Sequence, residues 1–146
     1  MKEDIEKKYA EVKELLKNGS SKYNKSFIQR KLTENLNLRK VFLAIIFHNP
    51  ALVHEISEFS LLSKPTCYTQ LFSLMDMKLI TRKYIKSCEN GGDIDVINKF
   101  NDFTSKMPEG LKNYYYGKTS FWVITDFGKE FADFAYKRNQ EFKEKE

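Results

Sequence analysis

The sequence predicts a mainly α protein with one small β-hairpin, an α+β fold. Three observations lead there. Breakers are scarce, with six glycines and three prolines in 146 residues, so long helices are open to most of the chain. Apolar residues recur at steps of three and four along most of the length, the period of a helix face. Two stretches, 79–87 and 120–125, instead gather β-branched and aromatic residues at strand length.

Taken in order, Ile5, Tyr9, Val12 and Leu16 make one apolar stripe on a first helix, 3–17, otherwise covered in Lys and Glu. Asn18-Gly-Ser-Ser21 ends it, with Gly19 suited to a C-terminal cap. A second helical region runs from Lys25 to Phe47 with a break near Asn35 or Asn37. Phe27, Ile28 and Leu32 form its first apolar face, and Leu38, Val41, Phe42, Ile45 and Ile46 a wider one. Asn49-Pro50 stops it, because proline disfavours helical geometry in the residue before it.

Leu52 to Phe59 reads as a short helix with Val53, Ile56 and Phe59 turned inward. After a tight connection, Ser63 is placed as an N-cap, with Pro65 in the first turn where its missing N–H costs nothing. Cys67, Leu71, Leu74 and Met75 then recur at helical spacing to about Met77. Leu79 to Ser87 is a strand and Ser120 to Thr125 its partner. Between them, Asp93 to Lys106 is a helix with Ile94, Ile97, Phe100 and Phe103 apolar, and Asp93 and Asp95 are helix N-terminal acids. Pro108-Glu-Gly110 breaks the chain before Tyr114-Tyr115-Tyr116, three rings expected to pack on the final helix or on a second subunit. That helix, 126–143, carries Phe127, Phe131, Phe134 and Ala135.

Charge is unevenly placed. The chain holds 25 Lys+Arg against 20 Asp+Glu, a formal +5. Residues 1–48 hold eleven basic and six acidic side chains and residues 49–88 five and three, while 89–118 hold four and five and 119–146 five and six. A polyanion would therefore meet the first half. Two cysteines are too few for a secreted disulfide scaffold, and Cys88, at the start of the 89–118 stretch, is the better placed of the two for a reactive thiol. The N-terminus has no apolar signal region, and the longest apolar run, Val41 to Phe47, is far short of the roughly 20 residues that span a bilayer. A cytoplasmic protein with no membrane segment is expected. His48 and His54 stand apart from any Cys/His cluster, so no metal is expected. With no glycine-rich phosphate loop, Ser/His/Asp set or paired carboxylates, neither a cofactor nor an enzymatic activity is expected.

The order of elements, with a short helix and then a Ser-capped helix, is that of a helix-turn-helix. Leu52-Val-His-Glu-Ile-Ser-Glu-Phe59, the stretch from Leu62 to Ile80, Arg82, and Phe121-Trp-Val-Ile-Thr-Asp-Phe-Gly-Lys-Glu-Phe131 together resemble the winged-helix transcription regulators, broadly the MarR and ArsR types. The resemblance covers 38–88 and 119–136. Two departures stand out: Lys78 occupies the turn where the family carries a positive-φ glycine, and the hairpin holds a 30-residue excursion instead of a short tip.

The resemblance implies one domain: N-terminal helices at 1–37, a winged-helix core at 38–88 and 119–125, a wing insertion at 89–118 and a C-terminal helix at 126–146. It also implies that Ser63, Lys64, Thr66, Tyr68, Thr69, Gln70 and Ser73 on the capped helix face double-stranded DNA, with Arg82, Lys83 and Lys86 of the wing on its backbone. The expected function is a sequence-specific DNA-binding transcription regulator, a homodimer through its N- and C-terminal helices. The alternative is a winged-helix protein–protein module in a transcription or replication assembly. No residue pattern supports a small-molecule effector.

Overall fold

Side-chain caps open several of the helices, at Asn24, Asn35, Ser63, Asp93 and Thr125. The computed structural model describes residues 4–9, 24–88 and 92–144; the Asn18–Ser21 break, Val12 and Leu16 lie outside them. Helix α1 is described over 4–9. It is followed by α2 (Lys25–Glu34), α3 (Leu36–His48), α4 (Val53–Ser60), α5 (Lys64–Asp76), β1 (Ile80–Tyr84), the single turn α6 (Ile85–Cys88), α7 (Ile94–Thr104), α8 (Glu109–Tyr116), β2 (Ser120–Ile124) and α9 (Asp126–Glu144). The fold is mainly helical with a two-stranded antiparallel sheet. Among the described residues no helix is long and apolar enough to cross a membrane.

Asn24 caps α2 by accepting from Phe27 N at 2.7 Å, and Asn35 caps α3 from Leu38 N at 3.0 Å. Asn35 is thus the break between the two helices. The buried Arg39 closes that corner, its Nη1 donating to the Leu32 and Thr33 carbonyls at 2.9 and 3.1 Å. A cation on the last carbonyls of α2 satisfies groups with no intrahelical partner. Burial lowers the Arg39 pKa from its ordinary value.

The main core joins Ile28 and Leu32 of α2, Leu38, Val41, Phe42 and Ile45 of α3, Ile56, Cys67, Leu71, Leu74, Trp122, Ile124 and Phe131. Two core assignments differ. Phe59 is exposed and Ser60 takes the buried place on α4, and Met77 is buried while Met75 is only half-buried.

The sheet pairs Ile80 with Ile124, Arg82 with Trp122, and Tyr84 with Ser120. Ala51 adds a bridge on the other edge of β2, exchanging two 2.8 Å bonds with Trp122, and the Asn49 side chain accepts from Ile124 N at 3.1 Å. The first strand is shorter than the 79–87 read from sequence. Pairing ends at Tyr84, and Ile85 to Cys88 turn as helix so that Ile85 and Cys88 are buried together.

Those two side chains seed a second core with Leu52, Val96, Phe100, Phe121 and Val123. Cys88 is therefore a packed thiol, not an accessible one. On α7 the buried face is Val96, Phe100 and Thr104, while Ile94 is exposed. The chain after Pro108 is helix α8, and its tyrosines pack on α7 instead of the final helix: Tyr115 meets Phe103 edge-on and Tyr116 meets Phe100.

The exit from α5 keeps the left-handed turn despite its lysine. Lys78 has φ 64°, with Lys78 N bonded to Met75 O and Leu79 N to Leu74 O, the two bonds of a Schellman cap. Thr125 locks this turn to the start of α9: its Oγ1 accepts from Gly128 N at 2.8 Å and lies 2.7 Å from the Lys78 carbonyl. Gly128 has no room for a side chain, since a Cβ there would sit 2.0 Å from Leu79 O. Gly128→Ala is expected to cost at least about 2 kcal/mol by forcing the two backbones apart. Lys78→Gly is expected to stabilise by about 0.5–1 kcal/mol, the relief of a left-handed residue less glycine's extra unfolded-state entropy. Thermal unfolding of the two variants checks both signs.

Candidate nucleic-acid interface

Helix α5 is held by its inner face and bare on its outer one. Cys67, Leu71 and Leu74 are buried in the main core. Ser63 starts the helix, accepting from Thr66 N at 3.4 Å and donating to Thr66 Oγ1 at 2.9 Å. Lys64, Thr69 and Ser73 are exposed beyond it, and Thr66, Tyr68 and Gln70 are half-buried. The hydroxyl protons of Thr69 and Ser73 go to carbonyls one turn back, Pro65 O and Thr69 O, each at 3.2 Å. Their free lone pairs leave them as acceptors.

Tyr68 is not a free outward group. Its ring lies edge-on to Trp122 at 6.3 Å and stacks with Phe72 at 6.2 Å. Trp122 is fully buried, and its Nε1 has no hydrogen-bond partner among the described residues. The indole is there for its area and shape, at a desolvation cost of about 1–3 kcal/mol. Phe72 belongs to the outer face and was missing from the sequence assignment. The wheel that places Cys67, Leu71 and Leu74 inward also turns position 72 outward, so the signal was present.

The three cations at 82, 83 and 86 part company. Arg82 pairs across the sheet with Trp122, its guanidinium 5.0 Å from the indole centroid and 5.3 Å from the Tyr84 ring, and its Nε donates to Ser120 Oγ at 2.8 Å. It is a fixed, planar cation over the same indole that Tyr68 and Phe72 of α5 meet. Lys83, one residue on, points to the other face of the sheet. There its Nζ donates to Asp93 Oδ2 at 2.9 Å, tying β1 to the cap of α7. Lys86 is exposed on the α6 turn, not on a strand.

Asp93 serves two purposes. Oδ1 accepts from Asp95 N and Val96 N while Oδ2 takes the lysine. The Lys83 hydrogen bond first, then its charge and the two backbone donors, hold the Asp93 carboxyl below the usual aspartate range, against a desolvation that raises it. Glu55 makes a second clasp, accepting from Leu52 N at 3.0 Å and from Lys99 Nζ at 2.8 Å, with His48 Nδ1 at 3.3 Å. His54 stacks on Phe103 of α7. Among the described residues no three His, Cys, Asp or Glu side chains gather as a metal site.

Elsewhere an open groove of about 700 Å³ runs between α3, the end of α4 and α9, lined by Leu36, Leu43, Phe47, Phe59, Leu61 and Tyr136 among others. Phe47 and Leu61 are 72% and 87% exposed there. Comparison with protein-family models, curated proteins and solved structures finds no match for this chain.

The Asp93 pKa is lowered by folding, so its contribution is present above the unfolded aspartate value and fades as pH falls through the folded one. Asp93→Asn keeps a good cap but removes the ion pair. It is expected to lose about 0.5–1 kcal/mol at pH 7 and to flatten the acid limb of stability below about pH 4. Urea titrations of both proteins across pH measure the difference.

Proposed function

We propose that this chain is a winged-helix, sequence-specific double-stranded DNA-binding protein that regulates transcription as a homodimer. One observation carries the reading: α5 is seated by Cys67, Leu71 and Leu74, which leaves Lys64, Thr69 and Ser73 exposed and Gln70 half-buried, and its Tyr68 and Phe72 meet the Trp122 indole that the Arg82 guanidinium also covers. An open polar helix face of this kind fits a major groove, which admits one α-helix. The element order supports it as well. Helix α3, the Ala51 bridge, α4, α5 and the β1–β2 hairpin follow one another as a helix-turn-helix with its wing, and Lys78 holds the positive φ that the family gives to glycine.

In this arrangement Lys64 and Arg82 meet phosphates, Thr69, Gln70 and Ser73 meet base edges, and Lys86 adds charge from the α6 turn. Lys83 contributes through the fold, by fixing the insertion to β1. The groove lined by Leu36, Leu43, Phe47, Phe59, Leu61 and Tyr136 supplies the apolar surface of the dimer. Along α3 its residues Leu36, Lys40, Leu43 and Phe47 follow steps of four, three and four, the same steps as Ile5, Tyr9, Val12 and Leu16 of the N-terminal stripe. The described part of that stripe, Ile5 and Tyr9, is exposed like the groove, and two exposed apolar surfaces suit reciprocal packing in a two-fold dimer.

The competing protein–protein reading has its own observation. Helix α8 buries no residue, and Ile94, Leu111 and Tyr114 of the insertion are exposed. A duplex enriched from a random-sequence pool and titrated by fluorescence anisotropy across a salt series separates the two. The DNA reading expects enrichment of a defined sequence. It also expects Gln70→Ala to weaken binding to that sequence by about 1–3 kcal/mol, and Lys64→Ala to reduce the salt slope by about one. Binding that is weak, uniform and indifferent to both changes would sink it. Sedimentation tests the dimer: Phe47→Asp combined with Leu61→Asp is expected to yield monomer, and an unchanged dimer mass would remove this groove from the interface.

A further inference from the structure

We infer that Phe72 is a base-reading residue of α5 and that its target is the 5-methyl group of thymine. The inference rests on the DNA-binding reading and says what the face reads. Phe72 is the exposed large apolar side chain of α5, 48% open to solvent, with the exposed Thr69 and Ser73 on one side of it within a turn. Its ring is nonetheless fixed. It stacks on Tyr68 at 6.2 Å and 29° and stands edge-on to Trp122 at 6.3 Å and 75°. Trp122 is itself held by two backbone bonds to Ala51. A ring clamped at its base with its rim in solvent loses little freedom on binding, which favours a contact surface prepared in advance.

The chemistry beside it selects the base. In the major groove guanine offers only acceptors, N7 and O6, and needs donors opposite them. The Thr69 and Ser73 hydroxyl protons are already given to the Pro65 and Thr69 carbonyls, so around Phe72 the helix presents acceptors and an aromatic rim. Acceptors suit the adenine N6 amino group. The thymine methyl is the apolar group that a base pair displays in the major groove, and an aromatic rim suits it. The two together describe A·T pairs beneath the middle of α5.

Uracil in place of thymine removes the methyl and leaves pairing intact, which isolates the contact. The test takes the duplex enriched by the wild-type protein and replaces each thymine by uracil in turn. One position is expected to weaken wild-type binding about fourfold, the worth of one buried methyl. Phe72→Ala is expected to bind the thymine and uracil duplexes alike. Wild-type binding indifferent to uracil at every position overturns the inference, as does a Phe72→Ala protein that still discriminates. The uracil series on the wild-type protein does not depend on how the variant folds, and Phe72→Gln replaces the alanine variant if circular dichroism shows early melting. Failure of any duplex to enrich would defeat the DNA-binding reading itself, and this inference with it. An enriched duplex without methyl discrimination defeats the inference alone.

Discussion

Strand β2 is the constraint on which the other elements depend. Its five residues are bonded along both edges, to β1 on one side and to Ala51 and Asn49 on the other. It is also covered on both faces. Trp122 and Ile124 face the main core with α3, α5 and α9, while Phe121 and Val123 face the second core built with α6 and α7. Because side chains alternate along a strand, one run of four apolar residues serves two cores. The position of α5 and the docking of the insertion are therefore set by the same short segment. A polar residue at any of these four places would disturb one core and, through the backbone bonds, the seating of the other.

The helical core was legible from periodicity, and one N-cap, Ser63, from its residue type. Asn24, Asn35, Asp93 and Thr125 likewise accept from the first turn of a helix. These signals are local, and a sequence displays local chemistry directly. What the sequence hid was set by tertiary packing. The burial of Ile85 and Cys88 curtailed β1. The tyrosine cluster took α7 as its partner because α7 presents Phe100 and Phe103. The Ala51 bridge leaves no pattern in the chain, since one residue has no period. Within the candidate interface, the inner and outer faces of α5 follow from the wheel, whereas the fates of Arg82 and Lys83 needed the strand alternation applied to each residue in turn.

That alternation refines the electrostatics. Two neighbouring cations on β1 do different work: one lies over an indole next to α5, and the next is committed to an aspartate of the insertion. The formal charge of +5 thus overstates what the hairpin offers a polyanion. Lys99 is likewise paired, with Glu55. Exposed positive charge on α5 and its exit rests on Lys64 at the start and Lys78 at the end, and Lys86 is exposed on the α6 turn. Paired charges at the root of the insertion orient helices, whereas Lys64, Lys78 and Lys86 make no ion pair among the described residues.

The residues that bracket α5 fit the same division. Leu61 before it and Lys78 after it both hold left-handed φ, 61° and 64°, where glycine would be free of strain. A side chain in that region costs about 1–2 kcal/mol. Such a cost persists where surrounding structure over-determines it, and here helix caps and the Thr125 contact do so. What the chain keeps in return is a side chain on the surface at each end: a leucine in the apolar groove, and a lysine beside the outer face of α5. On the proposed reading these are the two surfaces the protein uses, one for its second copy and one for DNA. Glycine at either position would give a more relaxed turn and a poorer interface.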